Sequence, residues 1–289
     1  MNSLEIPLVF DCGGEQLLGV VHKPENAGSI GVITVVAGGP QYRAGMGRGL
    51  VGMGRELAAR GIPLMRFDHR GLGDSSGGFL GFEHLEDDLH AAVGSFMLAV
   101  PELKKVVLWG GCDAASGIMI HACNIPSVVS IMVGNPFVSS SVTQAAVVRQ
   151  HYIKRLGQWS FWRKLLRFEY DFFAYVNAAA GKVRKRLSLA PKQRVASSAA
   201  PKAVTFIDRM LSGLERFQGP VLFLMSGQSL VSREFDELLA RSSAWKAVCG
   251  RAGYVRIELP DADQAFSSQD AKERVNEAVV RWVNQLGQD

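Results

Sequence analysis

The sequence predicts an α/β protein: a mainly parallel central sheet flanked by helices, with an inserted helical cap. Three observations predict it. Short apolar, β-branched runs alternate with segments of helical spacing along most of the 289 residues, one long basic and aromatic stretch interrupts that alternation, and glycine-rich turns follow three of the apolar runs. A chain of this length can bury a large core as one domain with an excursion. With 47% hydrophobic and 20% charged residues it is neither a disordered nor a fibrous chain. The opening MNSLEIPLVFDCGG has no basic start before an apolar run, and no uninterrupted apolar run reaches about 18 residues, so a cytoplasmic protein is expected. Cys12, Cys112, Cys123 and Cys249 are scattered, which points to free thiols rather than a disulfide framework or a zinc site.

Residues 4–10 and 17–22 read as two strands joined by a hairpin through Cys12-Gly13-Gly14-Glu15, whose glycines suit a tight turn. The continuous apolar run 30–37 reads as a buried strand, 48–60 as a helix, and 63–68 as the next strand. Helical spacing returns over 82–100, followed by a strand at 105–109, a helix at 114–122 and a strand at 128–133. After the interruption come strands at 221–226 and 255–259 and helices at 233–240 and 271–286. The core is therefore expected to comprise residues 1–138 and 218–289, and the cap 139–217.

Charge is distributed unevenly. The stretch 149–202 carries +11 and the rest of the chain −6, giving the net +5, and Trp159, Phe161, Trp162, Phe168, Tyr170, Phe172, Phe173 and Tyr175 interleave with its lysines and arginines. That pattern fits one or two amphipathic helices, with 188–201, rich in Ala, Ser and Pro, as a linker. Three readings of the cationic face stay open: a solvated surface, a lure for anionic substrates, and a surface for peripheral contact with an anionic membrane. No nucleic-acid-binding motif accompanies the charge, so no nucleic acid is expected as a partner.

In parallel α/β sheets, ligands bind beyond the carboxyl ends of strands. Three loops there are informative. Ala37-Gly38-Gly39-Pro40-Gln41-Tyr42 has little bulk to keep a substrate from its backbone; the Gly39 amide is the best oxyanion donor because Pro40 has no N–H, and Gln41 and Tyr42 are candidate substrate contacts. Asp68-His69-Arg70-Gly71-Leu72-Gly73-Asp74-Ser75 reads as scaffold, braced by Asp68 and Arg70. Gly110-Gly111-Cys112-Asp113-Ala114-Ala115 reads as a nucleophile elbow, with Cys112 at the apex, the Asp113 amide as second oxyanion donor, and a thiol pKa lowered by the helix N-terminus. Ala114 stands where G-x-S-x-G has its last glycine, and a buried structural cysteine is the competing reading.

With these loops in this order, the sequence resembles the α/β-hydrolase superfamily, and GGPQYR, RFDHRGLGDSSG and GGCDAAS are similar to the hydrolase encoded with the exosortase A system, a bacterial exopolysaccharide and protein-sorting locus. The resemblance spans nearly the whole chain. It implies a cysteine nucleophile, as in dienelactone hydrolases, with an acid after a late strand and a histidine after the last one. Where the family pattern Gly-x-Asp-Leu is expected, the chain reads Gly227-Gln228-Ser229-Leu230; where Ala-Asp-His-x-Phe is expected, it reads Ala262-Asp263-Gln264-Ala265-Phe266. Ser229 thus replaces the acid and Gln264 the base, and every histidine of the chain precedes this region.

Glutamine cannot accept a proton. A thiol needs a base less than a hydroxyl does, so slow ester or thioester hydrolysis or acyl transfer through a degenerate triad is expected, with Asp263, Asp113 or His69 as substitute bases. The expected partner is an acylated small molecule or carrier, including anionic ones, with no cofactor and no metal. The alternative is a non-catalytic protein of the same fold that binds such a partner. A third reading comes from Gly47-Arg48-Gly49-Leu50-Val51-Gly52, which matches the dinucleotide-binding G-x-G-x-x-G with Asp68 as ribose acid. Its glycines begin about ten residues after the strand rather than directly after it, so the pyrophosphate would lack its tight turn.

Overall fold

The computed structural model describes residues 3–38, 41–139 and 204–288. Eight strands form one sheet in the order β1-β2-β4-β3-β5-β6-β7-β8. They are β1 Ser3–Cys12, β2 Glu15–Pro24, β3 Ile30–Val35, β4 Leu64–Asp68, β5 Lys105–Gly111, β6 Val128–Gly134, β7 Val221–Ser226 and β8 Tyr254–Leu259. β2 runs antiparallel to both β1 and β4, and every other pairing is parallel. Each expected strand is present, because fully apolar runs such as Ile30–Val35 and Val221–Ser226 are buried on both faces, as a helix-covered parallel sheet requires.

The described helices are α1 Gly49–Ala59, α2 Glu86–Ala99, α3 Asp113–His121, α4 Phe206–Arg216, α5 Leu230–Arg241, α6 Ser243–Cys249 and α7 Gln269–Leu286. They divide between the two faces of the sheet. α1 and α7 bury Leu50, Met53, Leu57, Val275 and Val279 against Val107 and Trp109. The opposite face joins Phe96 of α2, Ile118 of α3, Met210 and Leu214 of α4, Phe235 of α5 and Trp245 of α6 to Val106 and Leu108. Each fully buried side chain of this size contributes about 1.5–3 kcal/mol, and the period of two along β5 sends alternate residues to the two cores.

Two features differ from the sequence reading. Residues 205–217, expected in the cap, belong to the compact core unit. There α4 begins at a capping box, with the Thr205 hydroxyl accepting from Asp208 N at 3.2 Å and the Asp208 carboxylate accepting from Thr205 N at 2.9 Å. It packs so closely on α3 that a methyl group at Gly213 would stand 2.1 Å from the Met119 carbonyl. α6 was not expected, since only Trp245 and Val248 of its seven residues are buried and so short a stretch shows no period. The stretch 149–202, with its basic and aromatic pattern, lies outside the described residues. Among the described residues, no helix is long and apolar enough to cross a membrane.

Candidate active site

The loops at the carboxyl ends of β3, β5, β6 and β8 converge on Cys112. Its backbone, at φ 56° and ψ −125°, is the strained apex between β5 and α3. Such strain persists only where the surroundings over-determine it. Here Cys112 N donates to Gly134 O at 2.8 Å, and the Cys112 carbonyl accepts from Phe137 N at 3.1 Å, Ser116 N at 3.3 Å and the Ser116 hydroxyl at 3.3 Å. The Ser116 hydroxyl also reaches Phe137 O, at 2.7 Å. Small neighbours are required: a Cβ at Gly110 would lie 2.7 Å from Ile118 and 3.2 Å from Ala114. Alanine in place of the elbow's last glycine is accommodated because Gly110 faces it.

The glycine loop is tied down at both ends. Asp68, fully buried, accepts from the backbone N–H and the guanidinium of Arg43 and from Asp74 N at 3.2 Å. Arg70 grips Asp88 at 2.8 Å, which braces the adjoining loop. With Asp68 so engaged, the dinucleotide reading loses its ribose acid, and Gly47 and Arg48, both at positive φ, form a 3₁₀ turn that leads into α1. At the other end, Gly38 N donates to the Asp113 carboxylate at 3.1 Å, as does Ala114 N at 2.9 Å. The Asp113 side chain therefore fills an amide that faces the site, while its own backbone N–H points to the Cys112 thiol. Gly39 lies outside the described residues.

The expected low thiol pKa is corrected by these surroundings. Burial, followed by the Asp113 carboxylate, pushes the Cys112 thiol above its ordinary value, against smaller opposing hydrogen bonds from the Asp113 N–H and the Gln264 amide. Burial likewise raises Asp113. Gln264 stands where the base was expected, with Nε2 3.5 Å from Cys112 Sγ.

The other candidates are engaged elsewhere. Ser229 is buried and caps α5, its hydroxyl accepting from Ser232 N at 3.2 Å. The Asp263 carboxylate bonds Ser267, which holds its pKa low. His69 is buried, sits 3.2 Å from Val36 O through Nε2, and is held below its ordinary pKa by burial.

Sequence reasoning missed Asn135. It is fully buried at φ 46° after β6; Nδ2 donates to the Ser226 hydroxyl at 2.7 Å and to Gln264 O at 3.0 Å, while Oδ1 accepts from Ser226 N at 2.8 Å. The Ser226 hydroxyl in turn donates to Asp263 O at 2.7 Å. Asn135 thus locks the Gln264 loop to the ends of β6 and β7. Its signal in the sequence was the Asn135-Pro136 pair directly after a strand. Asn135→Ala removes three buried hydrogen bonds and places alanine in the left-handed region, so it is expected to cost about 3 kcal/mol, read as a lower denaturant midpoint at unchanged m.

A cavity of about 450 Å³ opens beside Cys112. Gly38, Asp113 and Gln264 line it near the thiol; Leu50, Met53, Trp109, Phe266 and Val275 form its apolar wall, with Gln41 and with Lys272 and Asn276 of α7. Of the two candidate substrate contacts, Gln41 lines the cavity. Tyr42 does not, and is half exposed.

No protein-family model and no curated protein matches the chain. Solved structures do. Esterase Pf2001 of Pyrococcus furiosus superposes with a TM-score of 0.60 at 15% identity, covering 96% of this chain and 93% of its own. A dienelactone hydrolase from Anabaena variabilis gives 0.60 at 13% identity, over 99% of each chain. Est1E of Butyrivibrio proteoclasticus, solved with ferulic acid bound, gives 0.57 at 16% identity over 96% of this chain and 98% of its own. Likeness at such identities is likeness of fold.

Proposed function

We propose that this chain, which has the α/β-hydrolase fold, performs acyl transfer through Cys112. The observation that carries the reading is the strained, over-bonded apex at Cys112, set beside a cavity and at the N-terminus of α3. A backbone strained at this point costs stability, and a merely structural cysteine gives no reason for it.

In the proposed reaction the Cys112 thiolate attacks the carbonyl carbon of an ester or thioester. The Asp113 N–H stabilises the oxyanion, a C–S bond forms, and the bond to the leaving group breaks, the leaving group departing with the electron pair and taking a proton from water. The acyl group then passes to water or to an acceptor nucleophile: the new acyl bond forms, the C–S bond breaks to return the Cys112 thiolate, and the nucleophile's proton goes to solvent water. Gln264 cannot activate water, so transfer to an acceptor outpaces hydrolysis. The fold shared with esterases and a dienelactone hydrolase supports ester chemistry. The resemblance to exosortase-associated hydrolases supports an acylated small molecule or carrier of an exopolysaccharide or sorting pathway, handled in the cytoplasm.

Intact-protein mass spectrometry with activated esters and acyl thioesters tests the proposal: a single acyl adduct is expected, absent in Cys112→Ala. A second reading, binding without turnover, is favoured by the Asp113 carboxylate on Gly38 N and by Gln264 at the base position. No adduct from a thiol that still reacts with iodoacetamide would select it.

The rate of Cys112 modification should also report the raised thiol pKa. Only the thiolate attacks, so the rate is expected to climb tenfold per pH unit through neutrality, and to level off only above the ordinary cysteine value of about 8.5. Asp113→Asn removes the adjacent negative charge and should move that profile to lower pH. An unmoved midpoint would discount the Asp113 carboxylate as a cause.

A further inference from the structure

We infer that the cavity beside Cys112 takes a ligand with an anionic group, carboxylate or phosphate, on an apolar body, and that Lys272 receives that group. The inference rests on the acyl-transfer reading only for the reacting end of the ligand.

Among the described residues, the cavity wall holds two charged side chains, Asp113 and Lys272. The Asp113 carboxylate is already satisfied by the amides of Gly38 and Ala114. Lys272 is half-buried in the first turns of α7 and forms no ion pair or side-chain hydrogen bond among the described residues. Asp263 feels its charge through space, but both carboxylate oxygens of Asp263 are bonded to Ser267. One turn along α7, Asn276 faces the same cavity and gives its Nδ2 to Glu56, whose carboxylate also pairs with Arg60 at 3.0 Å. Among the described residues, the nearby carboxylates are thus occupied and the ammonium is not.

The Lys272 ammonium lies against the glycine turn that leads into α1. A Cβ at Gly47 would stand 3.3 Å from Lys272 Nζ, and one at Gly49 would stand 3.8 Å from its Cε. Gly47, at φ 54°, meets the left-handed geometry without a side chain. Most of the remaining wall is apolar, from Leu50 and Met53 to Phe266 and Val275. An ion pair beside such an apolar wall gains more than one on an open surface. The same wall holds an aliphatic body in van der Waals contact. Cys112, also in the wall, places an ester or thioester carbonyl at the reacting end of a ligand whose charge rests on Lys272.

Calorimetric titration of the whole protein at low salt tests this with monomethyl adipate, its neutral counterpart dimethyl adipate, and hexyl phosphate. Monomethyl adipate is expected to bind at least about tenfold tighter than dimethyl adipate, the ordinary gain of one charge-assisted contact. Lys272→Met should erase that preference, and Lys272→Arg should keep it. Whether hexyl phosphate binds more or less tightly than the half-ester distinguishes a phosphate from a carboxylate ligand. Equal binding of the two adipates, no binding of either, or a preference that survives Lys272→Met would overturn the anion site. The titration needs no reaction at Cys112, so an anion preference without any acyl adduct in the mass spectrum would sink acyl transfer and leave the Lys272 site standing.

Discussion

Replacing Gln264 by His together with Ser229 by Asp is expected to raise the rate of release of an acyl group from Cys112 into water by a hundredfold or more, the usual worth of a general base being about 10²–10⁴. The Gln264 side chain already reaches Cys112 Sγ at 3.5 Å, and its backbone is held by Asn135, so an imidazole would start from the right loop. The Ser229 position suits a carboxylate. It is the N-cap of α5, where aspartate caps as well as serine does and where the helix N-terminus favours negative charge. The two loops run side by side, with Gln228 N donating to Ala262 O at 3.1 Å. Gln264→His alone should gain less, because an unoriented imidazole adopts the wrong tautomer part of the time. The lifetime of the adduct by mass spectrometry reads the effect directly. A folded double variant with an adduct as long-lived as the parent's would count against the proposed geometry.

Cys112→Ser is expected to lose most of the acylation that the thiol supports. In a site with a histidine base, a serine can be deprotonated as it attacks; here the nearest side chain at the base position is an amide with no proton affinity. A hydroxyl in this position has only water to take its proton, and the Asp113 carboxylate, which raises even the thiol, opposes the alkoxide. The expected loss is about 10²-fold or greater relative to the thiol. Acylation of Cys112→Ser within tenfold of the parent would reveal a base that the described residues do not show, and combining it with Gln264→His and Ser229→Asp should restore part of the rate.

Much of this protein was legible in one dimension because its signals are local. A strand buried on both faces, such as Ile30–Val35, must be continuously apolar, and a tight strand-to-helix turn must be built from small residues, so Gly110-Gly111-Cys112 declared itself. The absence of histidine at position 264 is likewise read directly from the chain. The end of the insertion was less legible: the capping box at Thr205 marks a helix start, but nothing local says that this helix packs on α3.

The sequence by itself determined the alternating strands and helices, the glycine-flanked Cys112 turn, and the presence of Ser229 and Gln264 where the family resemblance leads one to expect an acid and a histidine, since each follows from residue type and spacing along the chain. Tertiary structure alone decided what surrounds the thiol. A helix N-terminus would lower its pKa, yet burial and a carboxylate drawn in from the next residue raise it, because desolvation and Coulomb repulsion depend on distances that spacing does not encode. The same holds for Asn135, whose three hydrogen bonds join β6, β7 and the Gln264 loop, and for Lys272, brought to the cavity of Cys112 from the far end of the chain.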